Sequence, residues 1–237
     1  MAGLPLKDVC GGTSALSGPF IKACGITRLE DGLTACAAGF TAVGFVFASS
    51  PRQIDPDLAR FVSSRLPQSV MRVGVFLDQE EDEVREIAAF CSLDLVQLHG
   101  RSVHLATRFG GRAIPSLRPR TPEDLEPLHE YRDTFAVLVD TWDPELPGGT
   151  GRTGDWDLAA DASRKARVIL AGGLDPGNVA QAIARVRPFG VDVSSGVESS
   201  PGIKEAHLLR AFAQEARKAF TAELGNPAGL RRRIFRK

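Results

Sequence analysis

Eight short apolar runs, separated by segments with helical periodicity or turn-rich helix starts, constrain this chain more than any other feature. The strands are expected at 20–23, 42–47, 71–76, 95–98, 113–117, 135–139, 168–171 and 191–193. Their spacing, roughly 24 residues, matches a strand, a short helix and two tight turns. Runs such as VGFVF, MRVGVF and VIL show no clean apolar–polar alternation, as expected where helices cover a parallel sheet.

The intervening segments carry their own helix signals. Between 80 and 91, Val84, Ile87, Ala88 and Cys91 recur on one face behind the acidic turn EEDE. In TPEDLEPLH, Thr121 is placed to cap the N-terminus, with Pro122 at N1 and Asp124 at N3, while Pro127 must kink or shorten the helix. DPGNVAQAIARV, near residue 175, sets turn residues ahead of helical periodicity. Residues 204–220 read as a closing helix with Leu208, Leu209, Phe212 and Ala216 on one side. Strand–helix repetition of this kind gives a closed parallel (β/α)8 barrel, the TIM-barrel architecture, with an open doubly wound sheet as the competing arrangement.

A chain of 237 residues accommodates one such barrel or two smaller domains. The barrel reading assigns 1–18 to a Gly/Ser-rich extension, 19–222 to a single catalytic domain and 223–237 to a basic tail. The net charge of zero conceals five positive charges in the terminal RRRIFRK, which leaves 24 basic against 29 acidic side chains elsewhere. A nucleic-acid binder would carry its basic residues over a folded face, so no such partner is expected. No run is long and apolar enough for a membrane span, and the N-terminus lacks a secretory pattern. Cys10, Cys24, Cys36 and Cys91 form no CxxC pair and read as reduced thiols, which suits a cytoplasmic protein.

Polar residues collect where the strands end. Lys22, Cys24 and Gly25 follow the first strand, Ser50 and Arg52 the second, Gln97 and His99 the fourth, and Asp140 the sixth. Asp192, Ser194, Ser195 and Gly196 follow the eighth. In a barrel these edges share one mouth. Lys22 and Cys24, two apart, point the same way. Cys24 is either a buried small hydrophobe or, beside Lys22, a partly exposed thiol of lowered pKa. Asp192 faces the interior and pairs with Lys22 if Val191 and Val193 face the helices. Asp140, closing the run FAVLV, is costly there unless solvated, paired or used.

Gly172 and Gly173 after the seventh strand, with Ser194, Ser195 and Gly196 after the eighth, suggest a phosphate site or simply tight turns. The loop LPGGTGRTGDW lacks the GxxxxGK[ST] pattern of a phosphate-binding loop. Its Gly148, Gly149, Thr150 and Gly151 form either a flexible connection or a mobile lid. The four His make no metal-binding pattern, so neither metal nor cofactor is expected.

Taken in order, IKACGIT, GFVF with SPR, RVGVF, VQLHG, LVDT, GGTGRTGDW, AGGLDPGNV and VDVSSGVESSPGIK make the chain resemble the phosphoribosylanthranilate isomerase family over roughly residues 20 to 220. The resemblance implies an aldose–ketose isomerase of tryptophan biosynthesis. Such an enzyme rearranges N-(5-phosphoribosyl)anthranilate to 1-(2-carboxyphenylamino)-1-deoxyribulose 5-phosphate without a cofactor. It further implies Cys24 as base, Asp140 as general acid and Arg52 as the contact to the anthranilate part. Lys22, Gln97 and His99 join the substrate site, and phosphate falls at the turns after strands seven and eight.

The chain departs from the family pattern at Ala23, at Gly154, where Phe is usual, and in the fifth strand. That strand reads IPSLRP instead of a Lys-containing segment. A related phosphosugar isomerase of histidine biosynthesis would carry Asp where Cys24 stands. A non-catalytic scaffold barrel would not need the intact pair of Cys24 and Asp140. The small phosphoribosyl molecule is the expected partner, and both monomer and homodimer stay open.

Overall fold

The computed structural model describes residues 18–141 and 156–225. The proposed lid residues Gly148, Gly149, Thr150 and Gly151, together with Gly154, nearly all of the N-terminal extension and most of the basic tail, lie outside the described residues.

Strands β1 (Phe20–Cys24), β2 (Ala42–Val46), β3 (Met71–Leu77), β4 (Leu95–His99), β5 (Ala113–Leu117), β6 (Val137–Asp140), β7 (Val168–Ala171) and β8 (Gly190–Val193) pair in parallel and in sequence order. β8 pairs back onto β1, so the sheet is closed and the open alternative is eliminated. Helices α1 (Leu29–Ala38), α2 (Pro56–Ser63), α3 (Glu81–Phe90), α4 (Ala106–Phe109), α5 (Trp156–Lys165), α6 (Val179–Val186) and α7 (Ala206–Gly225) belong to the outer layer.

Three sequence expectations need correction. β6 begins at Val137 rather than 135 and includes Asp140. Phe135 instead packs against Phe20 and Phe189, with ring centroids 5.6 and 5.9 Å away. The segment Pro122–His129 forms its capping box through Thr121 and Asp124 but winds as a 3-10 helix. Pro127 lacks the N–H that an α-helical ladder would use there and crowds the preceding turn. Lys204 does not open the closing helix. It ends a small hairpin of β9 (Glu198–Ser200) and β10 (Ile203–Lys204), and α7 starts at Ala206.

The barrel has two large apolar regions and a small third one formed by Cys24, Val46, Ala48 and Val75. Outward residues such as Ile21, Val43, Phe45, Leu98, Val139 and Val191 pack with Ala35, Ala59, Val84, Ile183, Leu209 and Phe212 of the helices. Inside, Phe20, Ala42, Val73, Leu95, Ile114, Leu138 and Ile169 form a separate cluster. Each large side chain buried in this way contributes about 1.5–3 kcal/mol. The N-terminal half of the interior is therefore a packed apolar floor. Polar interior residues are displaced toward the C-terminal strand ends, where two-residue periodicity lifts Lys22 and Cys24 above Phe20 and Gln97 and His99 above Leu95.

Candidate active site

The β1–β8 register sets Lys22 directly beside Asp192. Lys22 Nζ donates to Asp192 Oδ1 at 2.9 Å, and both side chains are buried. Burial opposes the charge on Lys22, yet the neighbouring Asp192 carboxylate more than compensates and holds its pKa above the ordinary lysine value. The ion pair expected from the alternation of Val191, Asp192 and Val193 is present.

Cys24 stands one step nearer the mouth, 8% exposed. Its thiol is pushed above the ordinary cysteine value, first by burial and then by Asp192, against the opposing pull of Lys22. The expectation of a lowered thiol pKa is thus overturned. Lys22 does pull the thiol down, more strongly than Asp192 pushes it up, but burial outweighs that pull. Of the other thiols among the described residues, Cys91 is buried and Cys36 partly so.

Across the mouth, Gln97 Nε2 lies 2.7 Å from His99 Nε2. The amide donates, which assigns the imidazole proton to Nδ1. His99 is held at about 4, chiefly by burial and then by Lys22, so it is neutral at neutral pH. Gln97 Oε1 is buried and has no hydrogen-bond partner among the described residues. An orphaned acceptor of this kind is expensive unless a ligand satisfies it. Asp140 ends β6 and accepts from Arg118 Nη2 at 2.7 Å. Both lie within electrostatic reach of His99.

Arg52 is oriented by a partner that sequence reasoning missed. Its Nε and Nη2 grip Glu198, at 2.9 Å to Oε1 and 2.7 Å to Oε2. Glu198 also accepts from Lys204 Nζ at 2.8 Å, and Lys204 donates further to the Cys24 and Ser194 carbonyls. Burial raises the Glu198 pKa, but bonds from Arg52 and Lys204 overcome it and keep the carboxyl below its usual range. The cluster ties the ends of β1 and β8 to the hairpin, and one edge of the Arg52 fork is already filled. The Glu and Lys of GVESSPGIK were visible in the sequence, but nothing local shows that a hairpin folds them back onto the mouth.

The two glycine turns meet. Gly172 and Gly173 adopt φ of 96° and 64°, which side-chain-bearing residues rarely tolerate. A Cβ on Gly196 would lie 2.0 Å from the Leu174 carbonyl oxygen, so the β8 turn approaches the β7 turn as only glycine permits. Asp175 Oδ1 accepts from the Gly177 and Asn178 amides at 2.7 and 3.0 Å, and Asn178 Nδ2 donates to the Gly173 carbonyl at 2.8 Å. The turn is braced before α6 begins. Ser194 Oγ donates to the Cys24 carbonyl, joining the turns to the β1 end.

The mouth therefore assembles Lys22, Cys24, Arg52, Gln97, His99, Asp140, Gly172, Gly173, Ser194, Ser195 and Gly196 on neighbouring strand ends. Glu198, Lys204 and Arg118 are additions from the structure. Among the described residues no group of three or more potential ligands could hold a metal ion. No helix there is long and apolar enough to cross a membrane.

Comparison with known proteins gives a consistent result. Residues 21–215 match the family model for N-(5'-phosphoribosyl)anthranilate isomerase. The isomerase of a Geobacter species is 48% identical over 200 residues, covering 84% of this chain and 98% of the relative. That of Pelobacter propionicus is 45% identical, covering 84% and 95%. The crystal structure of the Thermotoga maritima isomerase superposes with a TM-score of 0.77 at 41% identity, covering 84% of this chain and 99% of that one. A family structure in complex with reduced 1-(o-carboxyphenylamino)-1-deoxyribulose 5-phosphate gives 0.74 at 38%. With its closed barrel and polar mouth, the chain belongs to the phosphoribosylanthranilate isomerase family.

Proposed function

We propose that the protein isomerises N-(5'-phosphoribosyl)anthranilate to 1-(o-carboxyphenylamino)-1-deoxyribulose 5-phosphate, with Cys24 as base and Asp140 as acid. The observation that carries this reading is the placement of both side chains at one mouth, on strands β1 and β6 that flank the paired glycine turns of β7 and β8. Substrate phosphate sits at Gly172, Gly173, Ser194, Ser195 and Gly196, where turn amides and hydroxyls donate to it. Gln97 Oε1 accepts from a ribose hydroxyl, which removes the cost of an unmatched buried acceptor.

Protonated Asp140 gives its proton to the ring oxygen as the bond from C1 to that oxygen breaks, and the nitrogen lone pair forms the C1–N double bond. The Cys24 thiolate then removes the proton from C2, and the electron pair moves to give the enolamine. That species becomes the aminoketose when C1 regains a proton and the C2 hydroxyl loses one, so protons balance over the cycle. In the unliganded mouth the thiolate is the minority form. Its high proton affinity makes it the stronger base once formed, and this offsets its scarcity. Lys22 serves as the fixed counterion beneath it, and neutral His99 donates from Nδ1.

We place the protein in the cytoplasm as a monomer or homodimer, with a small phosphoribosyl substrate and no nucleic-acid or membrane partner. The test is turnover of freshly generated N-(5'-phosphoribosyl)anthranilate by the purified chain, followed by loss of substrate fluorescence. Turnover that vanishes in Asp140→Asn supports the reading, and an inactive, folded wild-type protein overturns it.

A further inference from the structure

The side chain of Lys204 is fully buried, yet the isomerase reading gives it no task. Its Nζ donates to three acceptors: the Cys24 carbonyl, the Ser194 carbonyl at 3.2 Å and Glu198 Oε1 at 2.8 Å. Burial lowers its pKa and Glu198 opposes that pull. Three acceptors call for three N–H donors, which only the ammonium has, so this setting favours the charged form. Glu198 is shared. Besides Lys204, its two oxygens accept from Arg52 Nε and Nη2 and, at 3.2 Å, from the Gly202 amide, which fills the carboxylate. The stem of Arg52 lies over Gly25, where a Cβ would come within 2.7 Å of Arg52 Cδ, so the guanidinium extends past the residue that follows Cys24. Among the described residues, Arg52 Nη1 has no hydrogen-bond partner. The charges here do not cancel. Lys22 is matched by Asp192 and Arg28 by Asp31, but Arg52 and Lys204 share the single carboxylate of Glu198. One positive charge is left over.

We propose that Lys204 is a positioning residue that sets substrate specificity through Arg52: it offsets Glu198, so that Arg52 keeps a full positive charge for the aryl carboxylate. The inference rests on the isomerase reading above, with the aryl carboxylate at Arg52 as the family resemblance implies. Glu198 and Lys204 divide the work. Glu198 fixes the direction of the guanidinium through a two-point grip that leaves Nη1 for the ligand. That grip alone would defeat its purpose, because an arriving carboxylate would be attracted by Arg52 and repelled by the Glu198 beside it. Lys204 cancels the repulsion. Its bonds to the Cys24 and Ser194 carbonyls also anchor the cluster to the ends of β1 and β8, so the carboxylate subsite stands at a fixed place relative to the base and the phosphate turn.

The test compares two probes by calorimetry. One is reduced 1-(o-carboxyphenylamino)-1-deoxyribulose 5-phosphate, and the other is the same molecule with phenyl in place of carboxyphenyl. Damage to packing or to the phosphate turn weakens both probes alike, so the ratio of their affinities reports the carboxylate alone. Wild type should prefer the carboxylated probe, and Arg52→Gln should abolish the preference. Lys204→Met, which keeps the length and removes the charge, should cut the preference on the order of 10-fold, the worth of a unit charge roughly 10 Å away at an effective dielectric of ~20. Glu198→Gln should keep the preference at or above wild type. The double variant Glu198→Gln with Lys204→Met should restore what Lys204→Met lost, because its charge sum is again that of wild type. Should Lys204→Met fail to fold, Glu198→Gln decides. An unchanged preference in Lys204→Met, or a preference lost in Glu198→Gln, overturns the proposal while wild-type turnover leaves the isomerase reading standing. A wild-type protein without the preference overturns the Arg52 assignment and the proposal together, and one that also turns over no substrate overturns the isomerase reading as well.

Discussion

At the residue scale, burial dominates the mouth, and its sign can be measured. Because burial, helped by Asp192, outweighs the pull of Lys22, the Cys24 thiol lies above its ordinary value. Alkylation of Cys24 by iodoacetamide, resolved from Cys10, Cys36 and Cys91 by peptide mass, should climb up to ~10-fold per pH unit beyond pH ~9 without levelling. A plateau below pH 8 would show an activated thiol instead. His99 supplies a second prediction. Its folded value of about 4 is below the ordinary ~6.5, so the unfolded chain binds more protons between those limits. The associated stability is complete above pH ~6.5 and declines as the pH falls toward 4, with a slope approaching ~1.4 kcal/mol per pH unit. Urea unfolding at pH 7 and pH 5 should show a smaller acid loss in His99→Gln than in wild type. Equal losses would mean that His99 is already charged in the folded protein.

At the element scale, the glycine turns and the hairpin are the parts that a single residue can undo. Gly196→Ala forces a methyl against the Leu174 carbonyl, so the β7 and β8 turns must separate. The expected cost is about 1–3 kcal/mol, with loss of inorganic phosphate binding, read by thermal shift with and without phosphate. Retained phosphate stabilisation would place the anion elsewhere. The strands were legible because parallel barrel strands are short, apolar and bounded by turn residues. The α3 and α6 periodicities were legible for the same local reason. The 3-10 winding at Pro122–His129 was only half visible, since Pro127 announces a disruption without fixing its form. The β9–β10 hairpin was hidden, because Lys204 is held by Glu198 and the Cys24 carbonyl, contacts of which one spans the whole barrel sequence. Positions Cys24 and Asp140 could be read from strand ends, whereas the Arg52–Glu198 and Arg118–Asp140 pairings required three-dimensional register.

At the scale of the whole molecule, closure of the barrel gathers residues from opposite ends of the chain into one site. Glu198 is the keystone of that gathering, since it is 5% exposed and neutralises fully buried Lys204 as well as Arg52. Glu198→Gln leaves a buried ammonium without its anion. It should lower stability by about 3 kcal/mol and Tm by roughly 6–12 °C in a chain of this size, measured by calorimetry. An unchanged Tm would show that water already compensates the cluster. The central claim, however, is chemical: one mouth holds a thiolate that takes the C2 proton and an acid that opens the ring. The most direct test is the fate of the C2 hydrogen in substrate labelled there with deuterium. Wild-type protein should release the label to solvent during turnover. Folded Cys24→Ala should retain it, with turnover reduced ~100- to 10,000-fold and binding of the reduced product analogue preserved. Near-normal turnover and label release by Cys24→Ala would contradict the account.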